Sequence, residues 1–296
     1  MIGISVIIAT RERRSYVLNL LKDIENQSYP VYEVVVSDQS AEFQELTGDY
    51  SFGLNHFKHP GTGPCCSRND AVRQASGELL VFIDDDARIE SDFIYEITKP
   101  ILDKRSIACA GAICDQNGNY KYYEKNISDF KNEFNWIISF TKNPNHPYEQ
   151  YCYSAPAGCL AIERKIFVDI GMFDTFFDPN GAGEDRELAI RLMSRGYATY
   201  YNGRAKLLHI GAGSGGRRDI GSTPNYFQKN MAYVILKYLG EKELFCYKRN
   251  VILFRLKNIF RLKNIRSNIK LILRFITETK IKKLKEGNNK KIKIEN

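Results

Sequence analysis

The sequence has no run of 18 or more apolar residues, so it offers no helix able to cross a bilayer. Its first residues, Met1-Ile2-Gly3-Ile4-Ser5-Val6-Ile7-Ile8, lack the basic region and cleavage site of a leader and read as a first strand. No CxxC pair occurs among the seven cysteines. Cys65 and Cys66 are adjacent, and the others are scattered at 109, 114, 152, 159 and 246. An odd, unpatterned set argues against a disulfide framework or zinc site and for a reduced, cytoplasmic chain. Disorder is excluded by what is present: 43% hydrophobic and 12% aromatic residues in a chain of 296 supply an ample core.

The net charge of +8 conceals an asymmetry. Residues 248–296 carry 16 Lys/Arg against 3 Asp/Glu, whereas the first 247 carry 27 against 32, so a mildly acidic body precedes a strongly basic tail. That tail suits an anionic surface. Basic amphipathic helices over 248–285 would seat the protein peripherally on the inner face of the cell membrane. Packing of the same helices on the body or on a partner subunit is the competing reading.

The stretch that organises the chain is Gly77-Glu78-Leu79-Leu80-Val81-Phe82-Ile83-Asp84-Asp85-Asp86-Ala87. Its apolar run reads as a strand buried on both faces. It ends in three adjacent carboxylates, which repel one another unless a cation sits among them. Extended geometry puts Asp84 and Asp86 on one side and Asp85 on the other. A hard divalent ion shared with substrate phosphates fits that arrangement; a solvated acidic turn is the plainer alternative.

Around it the pattern is α/β. Ile4–Ala9 is a strand ending at Thr10-Arg11, a helix follows from Ser15 with Val17, Leu18, Leu21 and Ile24 at helical spacing, and Glu33–Ser37 is a second strand ending at Asp38. Such a βαβ unit favours a parallel sheet with a right-handed crossover. Leu54–Lys58 follows as a third strand, and Ser67-Arg68-Asn69-Asp70 opens a helix. His56 and His59 near the end of that third strand read as incidental. These polar strand ends share the carboxyl edge, where open α/β sheets bind ligands.

Further on, Ile107–Ile113 is a strand, 115–150 reads as an insertion or lid, and strands resume at 151–155 and 158–162. Glu184-Asp185 precedes a helix over Arg186–Arg195, whose positive end stabilises carboxylates. Strands at 197–201 and 205–208 lead into a loop, 209–218. Its glycines, Gly213 among them, and Arg217 and Arg218 suit a flap over phosphates. From Pro224 onward the chain reads as helical, with residues 280–296 a disordered Lys-rich tail.

Eight segments, in order and at their spacings, resemble glycosyltransferase family 2: SVIIAT, VVSDQS, GPCCSRNDA, LLVFIDDDA, AGCLAI, GMFDTFF, GEDRELAIRL and LLHIG. The resemblance covers about residues 3–215. It implies a GT-A type fold: a Rossmann-like, mostly parallel central sheet flanked by helices, here with a C-terminal helical extension. It also implies an inverting, metal-dependent transfer from a nucleoside-diphosphate sugar, with UDP as default, to a glycan or lipid-linked glycan acceptor. The catalytic domain would occupy 1–222, split into a nucleotide half to about 105 and an acceptor half from 106, with the helical extension at 223–279.

Carried over position by position, Thr10, Arg11, Asp38, Arg68 and Asn69 match nucleotide-binding positions, Asp38 facing the base. Asp84 and Asp86 match the ends of the DXD motif, with Asp84 at ribose or metal and Asp86 a direct ligand to Mn2+ or Mg2+; Asp85 is the least involved. His209 matches a position that completes the metal shell in some members. Gly158 resembles the strand beneath sugar and acceptor. Glu184-Asp185 matches the pair supplying the catalytic base, assigned to Asp185. The chain departs from the pattern at Glu90-Ser91, where proline is absent, and at Cys65-Cys66, which replace small residues.

Three other readings compete, one being a degenerate, non-catalytic nucleotide-sugar-binding homologue, against which the intact Asp84-Asp85-Asp86, Glu184-Asp185 and His209 argue. A nucleotidyltransferase would share the fold and carboxylates but needs a glycine-bearing phosphate loop after the first strand, where Thr10-Arg11-Glu12-Arg13-Arg14 stands. A nucleic-acid-binding protein would use the basic tail, but the acidic body argues against it, and no nucleic-acid partner is expected. Oligomeric state, donor sugar and linkage are not written in any motif.

Overall fold

The computed structural model describes residues 2–61, 63–120, 143–216 and 224–258. Most of the expected insertion (121–142), Arg217 and Arg218, the boundary at 222–223 and the tail from 259 lie outside the described residues. Those that are described fall into two compact units, one within 2–216 and one over 224–258.

The first unit is a nine-stranded sheet with helices. It opens with β1 (Ile4–Thr10), α1 (Arg14–Glu25), β2 (Glu33–Asp38), β3 (Gly53–Lys58), α2 (Pro64–Gln74), β4 (Leu79–Ile83), β5 (Ala87–Ile89) and α3 (Phe93–Leu102). There follow β6 (Ala108–Cys114), β7 (Glu149–Cys152), β8 (Cys159–Glu163), α4 (Arg164–Asp169), a 3-10 turn at Thr175–Phe177, α5 (Glu184–Ser194) and β9 (Thr199–His209). The sheet order is β3-β2-β1-β4-β8-β6-β9-β5, with β7 also on β9. Pairing is parallel from β3 to β4 and between β6 and β9, while β8, β7 and β5 run antiparallel to their neighbours. This is the α/β arrangement expected.

Burial explains the strand sequences. All five residues of β4 are buried, and β1 and β2 are nearly so, because layers cover both sides of this part of the sheet. Helix α1 contributes Val17, Leu20, Leu21 and Ile24 to the core at i, i+3, i+4, i+7 spacing. Each such side chain is worth about 1.5–3 kcal/mol once removed from water.

Three boundaries differ from expectation in ways that matter. Helix α5 starts at Glu184, so the acidic pair lies within its first turn, after Gly183 in a left-handed conformation (φ 98°). The segments expected as separate strands at 197–201 and 205–208 form one strand, β9, interrupted by a bulge. Gly111 pairs with Asn202 but Ala112 pairs with Lys206. Third, the acidic stretch is a turn, closed by the Ala87 N–H donating to the Asp84 carbonyl at 3.2 Å. The turn then feeds β5.

The second unit pairs α6 (Pro224–Tyr238) with α7 (Glu241–Asn258). Ala232, Ile235 and Leu244 form its small core, with Leu236, Leu239 and Tyr247 against it. Gly240 (φ 95°) ends α6 by donating its N–H to the Ile235 carbonyl at 2.9 Å. No helix among the described residues is long and apolar enough to cross a membrane.

Candidate active site

The parallel strands β1, β2 and β4 deliver Thr10, Asp38 and the acidic turn to one edge of the sheet. Antiparallel β5 and β9 bring in His209, paired directly with Ala87. As a result Asp84, Asp86 and His209 each present one ligand atom, all within 4.8 Å of one another.

The hydrogen bonds around Asp86 choose which of its oxygens is free. Oδ2 accepts the Ala212 N–H at 2.9 Å and lies 3.2 Å from Arg13, while Oδ1 faces His209 Nε2 at 3.5 Å. On Asp84, Arg68 takes Oδ1 at 2.8 Å and no partner takes Oδ2 among the described residues. Two carboxylate oxygens and an imidazole nitrogen suit a divalent ion of the Mn2+ type, which accepts both donor kinds. The residues therefore fit the metal that the resemblance implies.

Asp85 stands outside this cluster yet is far from idle. It is buried, accepts the Thr10 hydroxyl at 2.8 Å and pairs with Arg13 at 2.7 Å. Burial pushes its carboxyl up to about 6 despite the opposing pull of Arg13 and Thr10. Thr10, expected at the nucleoside, thus spends its proton on the acidic turn.

Arg68 bridges two carboxylates. It bonds Asp84, approaches Glu184 Oε1 at 3.5 Å and lies over the Phe173 ring at 5.6 Å. Burial alone would lower its pKa, but Asp84 and Glu184 raise it. Its place is thus between the acidic turn and the start of α5. Asn69, expected beside the nucleotide, bonds the backbone of Phe173. It is buried, donates to the Phe173 carbonyl at 2.8 Å and accepts the Phe173 N–H at 3.0 Å, so both ends of its amide are spent on the fold. Asp185 is half-buried and accepts the Arg186 N–H at 2.8 Å.

Gly158 lies against the acidic turn: a Cβ there would sit 2.2 Å from the Asp84 carboxylate. Gly213 is in open space, with nothing within 4 Å of a Cβ. Arg11 lends its carbonyl to the Gly216 N–H at 2.9 Å, and its guanidinium has no hydrogen bond among the described residues.

Asp38 is held from two sides. Ser40 N–H donates to Oδ1 at 2.7 Å, and His56 Nε2 lies 3.3 Å from Oδ2. His56 Nδ1 accepts the Leu46 N–H at 2.9 Å, which assigns its proton to Nε2 and makes it a donor to Asp38. Phe43 stacks on the imidazole at 4.6 Å. Burial would raise the Asp38 pKa, but these hydrogen bonds hold it below the ordinary carboxylate range. His56, which reads as incidental in sequence, is therefore a built support. No sequence signal marked it, because its partner Leu46 sits in an irregular loop.

Comparison with known proteins adds the following. The model of the family described as Glycosyl transferase family 2 matches residues 5–171. N-acetylgalactosaminyltransferase 6 of Drosophila melanogaster is 24% identical over 82% of this chain and 39% of its own length. Glucosyl-dolichyl phosphate glucuronosyltransferase of Haloferax volcanii is 22% identical over 70% of this chain and 68% of its own length. The chain spans only 32–39% of the first animal relatives it matches. Among solved structures, S. aureus TarS 1–349 with UDP-GlcNAc has a TM-score of 0.57 at 17% identity, covering 93% of this chain and 80% of that one. GalNAc-T7 with UDP, GalNAc and Mn2+ has a TM-score of 0.58 at 17% identity, covering 94% and 56%. These likenesses establish the fold.

Proposed function

Because the chain belongs to glycosyl transferase family 2, we propose that it moves a sugar from a nucleoside-diphosphate sugar to a hydroxyl acceptor, inverting the anomeric centre and requiring Mn2+ or Mg2+. The carrying observation is the convergence of Asp84, Asp86 and His209 within 4.8 Å, each with a ligand atom to spare. A divalent ion there would neutralise the leaving diphosphate.

The chain's own groups supply the rest. Asp38, kept ionised, is a pure acceptor and suits a base with a ring N–H, such as uracil, with uridine kept as the default. Arg11 offers at the same edge a guanidinium with no hydrogen bond among the described residues. Asp185 takes the acceptor hydroxyl proton as the new bond forms, and a single displacement needs no second nucleophilic carboxylate. Glu184, held by Arg68, contacts donor or acceptor. The acceptor is a growing surface polysaccharide or a lipid-linked glycan, and the basic residues of 248–285 hold the enzyme on an anionic membrane. The UDP, UDP-GlcNAc and Mn2+ named with the neighbouring structures support this reading.

The test is a thermal-shift screen of nucleoside-diphosphate sugars with and without Mn2+, followed by NMR of the product anomer. Metal-dependent stabilisation by one sugar nucleotide and an inverted product are expected. Stabilisation by none, or a retained anomer, would overturn the proposal.

A further inference from the structure

Arg13 lies between β1 and α1, as the N-cap of that helix, in none of the eight family-like segments, yet it touches two distant parts of the site. Its NH1 donates to Asp85 Oδ1 at 2.7 Å and lies 3.2 Å from Asp86 Oδ2. On its other side, Nε donates to the Ser214 carbonyl at 3.0 Å and NH2 to the Gly215 carbonyl at 3.3 Å. The fit is close. Gly215 and Gly216 have φ of 73° and 57°, and a Cβ on either would come within 2.9 Å of Arg13 side-chain atoms. Two further bonds run parallel: the Gly216 N–H to the Arg11 carbonyl at 2.9 Å, and the Ala212 N–H to Asp86 Oδ2 at 2.9 Å.

We infer that Arg13 is a positioning residue that ties the loop after β9 to the acidic turn and fixes the Asp86 carboxylate with Oδ2 inward, leaving Oδ1 for the metal. The planar guanidinium is suited to this, since one side chain serves a carboxylate pair and two carbonyls at once. The inference rests on Asp84, Asp86 and His209 being the metal ligands.

Coulomb's law gives the test a sign. Arg13 is a cation beside a metal ligand, so its removal, if charge alone mattered, would tighten cation binding. If positioning dominates, binding weakens instead, by the roughly 10–100-fold typical of lost supports around a metal ligand. Mn2+ alone is titrated into the full chain by electron paramagnetic resonance, and backbone hydrogen exchange is followed over 210–216. In Arg13→Gln, weaker Mn2+ binding and faster exchange are expected. Arg13→Lys keeps the charge without the fork and should still exchange faster. Gly215→Ala breaks the contact from the loop side with the arginine intact, and should reproduce both effects should Arg13→Gln fold poorly. Unchanged or tighter Mn2+ binding in Arg13→Gln with unchanged exchange would overturn the inference. Absence of Mn2+ binding by the unaltered chain would instead overturn the metal reading, and exchange over 210–216 would still decide whether Arg13 holds the loop.

Discussion

Asp178 caps a helix to which it does not belong: its Oδ1 accepts the Cys65 N–H at 2.9 Å across 113 positions of sequence, and its Oδ2 accepts that of Cys66 at 2.9 Å. Helix α2, which carries Arg68, has only Gly63 at its own N-cap. A Cβ at Gly63 would sit 2.2 Å from the Asp178 carboxylate, and its φ of 129° suits glycine alone. Asp178→Ala should cost about 1–2 kcal/mol in urea unfolding. Burial first, and then Asp178, pushes the Cys66 thiol up to about 12. The same variant should therefore react faster with a thiol reagent at pH 8, and an unchanged rate would show that burial alone protects the sulfur.

Asp86→Ala removes the oxygen that faces His209 and the acceptor of the Ala212 N–H. Donor binding in this variant should no longer respond to Mn2+ or Mg2+. Equal calorimetric affinity with and without the ion, in a parent protein that does respond, is the expected signature.

Asp185→Asn keeps the shape of α5 and its acceptor for the Arg186 N–H but cannot take a proton. Transfer should fall by 10²–10⁴-fold while sugar-nucleotide affinity stays within a few-fold. Loss of binding in step with activity would move the base elsewhere, with Glu184 the next residue to test.

Gly158→Ala puts a methyl group where the Asp84 carboxylate lies. Relief requires Asp84 to swing away or β8 to shift, at roughly 1–3 kcal/mol. Mn2+ affinity should drop with stability. A stable variant with normal Mn2+ binding would remove Asp84 from the ligand set.

Glu33 supplies a pH signature far from the chemistry. Burial would raise its pKa, but bonds from Ser5, Ser76 and Gly77 hold it below the ordinary 4.5. A lowered folded-state pKa contributes stability that is present above 4.5 and lost as pH falls through the folded value. Glu33→Gln should lower stability at pH 7 by about 1–3 kcal/mol and flatten the decline below 4.5. Parallel stability–pH curves for the two proteins would contradict this.

What could be read in advance was what is local. The apolar runs of β1, β2 and β4 and the carboxylates after β4 lie within short windows, and they stand close to where they were expected. The turn geometry did not follow from alternation: a bond from Ala87 to the Asp84 carbonyl curls the acidic stretch, and the cluster of Asp84 and Asp86 with His209 arises from that turn and from β5 pairing with β9. Arg13, His56 and Asp178 act across gaps of 10 to 202 residues, and no periodicity encodes such pairs. Asn69 could be read in two ways because its amide suits a ligand and a backbone equally well, and its bonds to Phe173 are not written in its own segment.

The bulge in β9 makes chain length itself a determinant of the site. Three extra residues, Gly203 to Ala205, separate the stretch paired with Gly111 from that paired with Ala112. If all three were kept and the ladder instead ran straight on from Asn202, the residue opposite Ala87 would be displaced by three positions. That is about 10 Å along the strand and onto the opposite face of the sheet. His209 would then be lost to Asp86 with every side chain of the cluster still encoded. The bulge thus takes up three residues without moving His209, whereas a one-residue insertion or deletion within 206–208 that it did not take up would be as consequential as replacing the histidine.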